Sequence, residues 1–143
     1  MLRKALAASG VLMLAGCTSV QVNNVDTSQH DIDQVCIQKN PKVIVSDFLG
    51  VLQQGLMRHG IQSSVHDAPL PAHCSYRLEY TAERGWDLAP YLDHAEIYLY
   101  RDGGLIGSAN YRHSGGFGLN KWASTATKMN PVIDQLLGKG ASD

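Results

Sequence analysis

Cysteine and histidine are the side chains in this sequence best suited to covalent or metal chemistry, with three and six copies respectively. Cys36 and Cys74 form an even pair, and in an exported chain such a pair favours a disulfide because compartments outside the cytosol are oxidising. Two alternatives are open: two buried thiols, or a metal site in which Cys74 joins His66 and His73. The metal site depends on loop folding, because Pro69 prevents one continuous helix from carrying both histidines. We predict the disulfide, with no bound metal and no cofactor.

His94 and Glu96 come nearest to a catalytic pair. They are two residues apart on a predicted strand, so they share a face as a base and its partner would. The same H-x-E spacing opens the zinc deaminase signature, but the P-C-x-x-C half is absent from this sequence. Ser114 follows His113 without a nucleophile motif around it, and the glycine-rich residues 115–118 lack the Lys-Ser/Thr of a P-loop. We therefore predict no enzymatic activity and no catalytic residue.

Tyrosine and arginine occupy the solvated side of two predicted strands. If Ile97 and Leu99 point inward, Tyr98 and Tyr100 point outward, where Arg77 is a predicted neighbour. Tyrosine and arginine are enriched at recognition surfaces because both combine a large contact area with hydrogen-bonding groups. Simple pairing of the tyrosines across strands is the alternative. We predict Tyr98, Tyr100 and Arg77 as binding residues.

The N-terminus has the composition of an export signal. Arg3 and Lys4 precede an uncharged apolar run over residues 5–15, which has the length of a signal-peptide core and is too short to span a bilayer. The run ends in Leu14-Ala15-Gly16-Cys17, which resembles the lipobox of bacterial lipoproteins. That resemblance implies cleavage before Cys17 and lipidation of its thiol. Two or three acyl chains give stable attachment, whereas one chain binds only marginally.

The residue after the lipidated cysteine steers sorting in Gram-negative lipoproteins, where Asp favours the inner membrane. Thr18 stands at this position, so the resemblance implies the outer membrane, facing the periplasm. The predicted organisation is a signal peptide over 1–16, a lipidated N-terminus with a flexible stalk over 17–39, and one globular domain over 40–143.

One helix is well defined by its pattern. Ser46 and Asp47 are suitable caps for it, apolar residues recur at helical spacing from Phe48 to Leu56, and Gly60 ends it. A second helix is expected over 120–137, with Trp122 in the core and a kink or restart at Pro131.

Short apolar or alternating runs predict the strands. They lie at 42–45, 61–65, 76–83, 95–101 and 105–112, with 20–22 as a further candidate edge strand. Asp102-Gly103-Gly104 predicts a tight hairpin because such a turn needs positive φ. Trp86 is expected in a loop.

Length and charge limit the class of protein. A chain of 143 residues fits one domain, and 12 Lys and Arg against 13 Asp and Glu leave no basic surplus for nucleic acid. The strands and helices predict an α+β fold, a mainly antiparallel twisted sheet of about four to five strands with two helices packed on one face.

Several short motifs resemble an uncharacterised family of small proteobacterial lipoproteins of the outer-membrane type. Besides the lipobox, they are Val35-Cys36-Ile37, Asn40-Pro41, Ser46-Asp47-Phe48 and His59-Gly60-Ile61. The resemblance implies the location and brings no activity with it. The first hypothesis is a non-enzymatic binding or scaffold module, held to the membrane by its lipid, whose partner is an envelope protein or polymer. The alternative is a carrier of a small ligand or metal that uses His66, His73 and Cys74.

Overall fold

The computed structural model describes residues 18–114 and 120–138. Within them the chain forms six strands and two helices. In order they are β1 (Thr18–Asn23), β2 (Gln34–Gln38), α1 (Phe48–Arg58), β3 (Gln62–His66), β4 (Tyr76–Asp87), β5 (Ala89–Arg101), β6 (Gly104–His113) and α2 (Thr125–Leu136). The strands make one sheet in the order β1-β6-β5-β4-β2-β3. The predicted α+β class is confirmed.

The predicted count of four to five strands is wrong, because the sheet has six. Three of its five strand pairings are antiparallel and two are parallel, so the sheet is mixed. β2 pairs in parallel with both β3 and β4, while the other neighbours are antiparallel. The stalk predicted up to residue 39 is also wrong in the described part of the chain. β1 is an edge strand there, and β2 lies inside the sheet with Val35 and Ile37 fully buried.

Residues 42–45, predicted as a strand, form no strand. The backbone N–H of Lys42 donates to Oδ1 of Asn40 at 3.0 Å, and Nδ2 of Asn40 donates to the carbonyl of Tyr80 at 3.0 Å. These bonds hold a turn beside β4 because Asn side chains compete well for backbone groups.

Helix α1 is confirmed with its predicted apolar face, since Phe48, Val51, Leu52 and Leu56 are buried. Asp47 stands at the N-cap, but its carboxylate accepts a hydrogen bond from Oγ1 of Thr125 at 2.9 Å instead of capping its own helix. That bond joins the start of α1 to the start of α2.

The two helices pack closely against each other. A Cβ at Gly55 would lie 2.7 Å from a methyl carbon of Ile133, so the glycine permits the approach. Pro131 lies inside α2 without starting a second helix, and Ser124 caps α2 by accepting from the backbone N–H of Thr127 at 3.1 Å. The core is one cluster in which residues of both helices meet β-strand residues such as Leu78, Ile97 and Leu99.

Two hairpins mark opposite ends of the sheet. At one end Asp102 and Gly103 have φ of 48° and 85°, as the predicted tight turn requires. At the other end β4 and β5 run further than predicted and meet at a turn that contains Leu88. Trp86 is therefore a strand residue and not a loop residue. We call this second end the Trp86 end.

The N-terminal end of β1 also lies at the Trp86 end. Thr18 pairs with His113, the last residue of β6, and the neighbouring Arg112 pairs with His94 of β5. His94 in turn pairs with Glu83, just before the hairpin tip. The first described residue of the chain, Thr18, is thus at this end.

The disulfide prediction is confirmed. Cys36 on β2 and Cys74 in the loop before β4 are bonded across 38 positions, with Cα atoms 5.8 Å apart. The bridge ties an internal strand to the loop that follows β3.

Candidate functional site

The structure brings together the three residues predicted to bind. Arg77 of β4 pairs in register with Tyr100 of β5, and Glu79 pairs with Tyr98. The guanidinium carbon of Arg77 lies 4.5 Å from the centre of the Tyr100 ring, a cation–π contact. What we call the open sheet face consists of Arg77, Glu79, Glu96, Tyr98 and Tyr100. All five are half-buried, on strands whose alternate residues are in the core.

Glu96 organises this face. Its carboxylate accepts hydrogen bonds from the hydroxyl of Tyr98 at 2.9 Å and from Nδ2 of Asn110 at 3.2 Å. The bond to Glu96 raises the pKa of Tyr98, and burial adds to the effect. Tyr98 is thus a neutral phenol whose ring is held in one position by its hydrogen bond to Glu96.

His94 lies between two carboxylates at the edge of the same network. Its Nε2 is 3.2 Å from Oε1 of Glu96, and its Nδ1 is 3.7 Å from Oε2 of Glu83. The sequence placed His94 and Glu96 on one face, and the structure brings them together. Glu96 is already engaged by Tyr98 and Asn110, which suits it to holding side chains in place.

A hollow of about 460 Å³ adjoins the open sheet face. Its walls include Lys39 and Lys42 of the turn after β2 on one side, and Glu79, Glu96 and Tyr98 on the other. This volume lies in the usual range for small-molecule sites, and the lining carries both charges and an aromatic ring. Such a lining suits a polar ligand or an extended polymer segment more than an apolar one.

Sequence reasoning missed the lysine wall of this hollow. The turn is held by Asn40, whose backbone N–H donates to the Tyr80 hydroxyl at 3.3 Å in addition to the side-chain bond to the Tyr80 carbonyl. The one local indication of a turn was the pair Asn40-Pro41, which often forms turns. The apolar residues that follow this pair led to the prediction of a strand over 42–45 instead.

The alternative ligand set is only partly assembled. Potential ligand atoms of Cys36, His73 and Cys74 lie within 4.8 Å of one another. Both sulfurs are in the disulfide, however, and a metal needs the thiolate. His66 is engaged elsewhere, with Nε2 2.8 Å from Oγ of Ser64.

A second polar cluster lies buried at the Trp86 end and was missed. Among the described residues, the Tyr111 hydroxyl and both ring nitrogens of His113 are buried without a hydrogen-bond partner. Burial, with a smaller effect of Asp93, raises the pKa of Tyr111 to about 12. Burial, and then the positive Lys128 and Lys121, lower the pKa of His113, which keeps its imidazole neutral.

Lys128 completes this cluster. Its ammonium donates to the carbonyls of Leu92 at 3.1 Å and Lys121 at 2.5 Å, and burial lowers its pKa. The only indication of this cluster in the sequence was that Tyr111 and His113 are two residues apart on a predicted strand and therefore share a face. Burial favours the neutral forms of Tyr111 and His113, while the buried ammonium of Lys128 is compensated by its two carbonyl acceptors.

Cys17, the predicted lipidation site, and the signal peptide over 1–16 lie outside the described residues. The prediction that Trp122 lies in the core is wrong, since this residue precedes α2 and is 45% exposed. No helix in residues 18–114 and 120–138 has the length and apolar character needed to cross a membrane.

Comparison with known proteins gives structural neighbours only. No family model and no curated protein sequence matches this chain. Two solved structures of PelC from Paraburkholderia phytofirmans, both dodecamers and one a point variant, are similar in fold. The variant has a TM-score of 0.55 at 12% identity and covers 83% of this chain and 93% of its own. The other has a TM-score of 0.53 at 12% identity, with 83% and 94% covered. At this identity the likeness establishes the arrangement of elements and nothing further.

Proposed function

We propose that this protein is a lipid-anchored lipoprotein of the outer membrane, facing the periplasm, and that it is a non-enzymatic binding or scaffold module. The observation that carries the binding role is the open sheet face, where Arg77 stacks on Tyr100 beside a Tyr98 fixed by Glu96. A preorganised pair of aromatic rings with a guanidinium loses little side-chain freedom on binding. The partner is an envelope protein or polymer.

The placement of β1 supports the anchored half of the proposal. Thr18 is paired with His113 in the sheet, so lipid on Cys17 would hold the domain directly against the membrane with no intervening stalk. The disulfide agrees with an oxidising compartment.

The small-ligand alternative is supported by the hollow beside Tyr98 more than by the ligand set first considered. Cys74 is oxidised and His66 is bonded to Ser64, which leaves His73 as the available ligand of that set. A polymer segment lying across the open sheet face would enter the same hollow, so the hollow also supports the first proposal.

The anchor is tested by Cys17→Ser in the full chain expressed in a Gram-negative cell. We expect the variant to leave the membrane fraction, because the acyl chains supply the stable attachment. Mass spectrometry of the wild-type N-terminal peptide should show Cys17 with acyl chains and no preceding residue. Thr18→Asp is the matched control, since it keeps the lipid and should move the protein to the inner membrane. A wild-type N-terminus that still carries Met1 would refute the anchor.

The binding role is tested by crosslinking in intact cells from a photoreactive residue placed at Thr81, which lines the hollow. We expect the double variant Tyr98→Ala with Tyr100→Ala to lose the adducts of the wild type while keeping its circular dichroism spectrum. Gln53→Ala with Gln54→Ala, on the outer side of α1, should keep them. Equal capture by both double variants would exclude the open sheet face. Adducts at multiples of the mass of the processed, lipidated chain would identify a second copy as the partner, which the dodecameric PelC structures make a specific outcome to look for.

A further inference from the structure

Large apolar side chains are exposed together at the Trp86 end. Ile44, Trp86, Leu88 and Trp122, which we call the apolar tip, are 60%, 74%, 88% and 45% exposed. Ile44 and Trp122 line one cleft with Pro90 of the hairpin, so they adjoin it. Both tryptophans of the sequence are in this tip. Clustered apolar exposure of this kind marks an interaction site.

The fold gains little from a leucine at position 88. Its φ is 65°, in the left-handed region that favours glycine and asparagine and that costs energy for other side chains. An 88% exposed leucine recovers nothing from the core. The turn thus accepts strain in order to present an apolar side chain.

Two contacts join the segment before α2 to the β4–β5 hairpin. Nε1 of Trp122 donates to the carbonyl of Asp87 at 3.0 Å, which fixes the segment before α2 against the hairpin. Nζ of Lys121 lies 2.5 Å from the Asp87 carboxylate. The one acidic side chain between Trp86 and Leu88 is therefore paired, which lowers the cost of moving the hairpin into a less polar medium.

The position of the tip relative to Cys17 points to its occupant. β1 and β4 are separated by three strand spacings, about 14 Å, and the hairpin extends about 10 Å beyond the level of Thr18. Cys17 lies within about 3.8 Å of Thr18 between Cα atoms. The start of β1, one peptide bond from the proposed lipid attachment, and the apolar tip thus lie at the same end of the sheet.

We propose that the apolar tip docks into the headgroup region of the bilayer that holds the lipid anchor. Tryptophan suits this region because its ring is apolar while its N–H is polar, and an exposed leucine adds apolar area. The exposed Arg84, in the strand leading to the turn, is placed to meet lipid phosphates. This inference rests on the proposed function, and it adds a second membrane contact that sets the orientation of the open sheet face.

The test uses the full lipoprotein, purified from cells and reconstituted into vesicles of phosphatidylethanolamine and phosphatidylglycerol, with and without brominated phosphatidylcholine. Bromine quenches tryptophan only at close range, and this chain has tryptophan only in the tip. We expect quenching in the wild type, and also in Trp122→Phe, where Trp86 is the sole reporter. Leu88→Asn, which tolerates the turn geometry, should weaken docking about tenfold because one leucine leaves the lipid.

Leu105→Asn is the matched control. Leu105 is 54% exposed at the opposite end, beside the Asp102-Gly103 turn, so its loss should leave quenching unchanged. Flotation of the same samples measures the anchor independently. A protein that floats with unquenched tryptophans overturns the tip proposal and leaves the anchor standing. Quenching that Leu88→Asn abolishes, in a protein whose Cys17 carries no lipid, would refute the anchor and support the tip.

Two remaining outcomes would also contradict the proposal that the apolar tip docks into the bilayer. Failure to float, with no lipid on Cys17, would refute both proposals. Unquenched emission that shifts to longer wavelength on dilution would assign the tip to an interface between copies of this chain.

Discussion

Replacing both bridged cysteines, as Cys36→Ala with Cys74→Ser, is expected to lower the free energy of unfolding by about 3.5 to 4 kcal/mol, because the bond closes a loop of 38 positions. That is a large share of the margin of a small domain. The bridge also fixes β2, whose pairing to β4 in register rests on Cys36 and Ile37 alone. Loss of the disulfide should therefore weaken the pairing of β2 with β4 before the antiparallel strands separate.

Urea unfolding measures this effect. All chains should carry Cys17→Ser, so that the third cysteine neither carries lipid nor exchanges with the other two. His73→Ala, which changes the exposed neighbour of the bridge, is the control and should match the parent. A double variant within about 0.5 kcal/mol of the parent would contradict the prediction. Dithiothreitol should reproduce the loss in the parent and have no effect on the double variant.

The elements that sequence reasoning found are those that local forces specify. The spacing of Phe48, Val51 and Leu52 identifies α1 because a helix buries one face with a fixed period. Asp102-Gly103 identifies its hairpin because few residue pairs accept two positive φ values. Strict alternation over residues 76–83 predicted the buried face of β4 without knowledge of the strand order.

The elements that were missed depend on distant parts of the chain. β2 has only Val35, Cys36 and Ile37 as its buried run, and it becomes a strand because β3 and β4 pair with it on both sides. The lysine wall of the hollow depends on Asn40 meeting Tyr80, 40 positions away. Trp122 was misplaced for the opposite reason: a large apolar ring favours the core, and nothing local to it indicates exposure.

Sequence reasoning likewise found the part of the candidate site that one strand specifies and missed the part that depends on neighbouring strands. Arg77, Tyr98 and Tyr100 were placed on one face by alternation alone, which is a property of any strand. Glu96 and Tyr98 are two positions apart on β5, so the same alternation places the acceptor beside the phenol. The contribution of Asn110 from β6 depends on strand order and register. A pattern along one strand carries no information about which residue of a neighbouring strand lies opposite.

Phe48→Ala is expected to lower the free energy of unfolding by about 3 to 5 kcal/mol, because it empties a fully buried position at the start of α1. The Phe48 ring stacks on Tyr80 with centroids 5.8 Å apart and planes at 26°. Tyr80 in turn holds Asn40, and Asn40 holds the turn that carries the lysines of the hollow. One core residue thus supports both the domain and the wall beside the open sheet face.

Two measurements separate these effects. Chemical denaturation should show the loss of stability, with Gln54→Ala on the exposed side of α1 staying within about 0.5 kcal/mol of the parent. Amide exchange should show reduced protection at Lys42, whose N–H is bonded to Asn40, before the core strands exchange. If Lys42 exchanged no faster than amides of β5 in Phe48→Ala, the turn would not depend on Tyr80. The wall of the hollow would then be held by its other bonds, from Lys42 and Val43 to Asn40 and from Lys39 to His66, and ligand contact by the lysines would be independent of Tyr80.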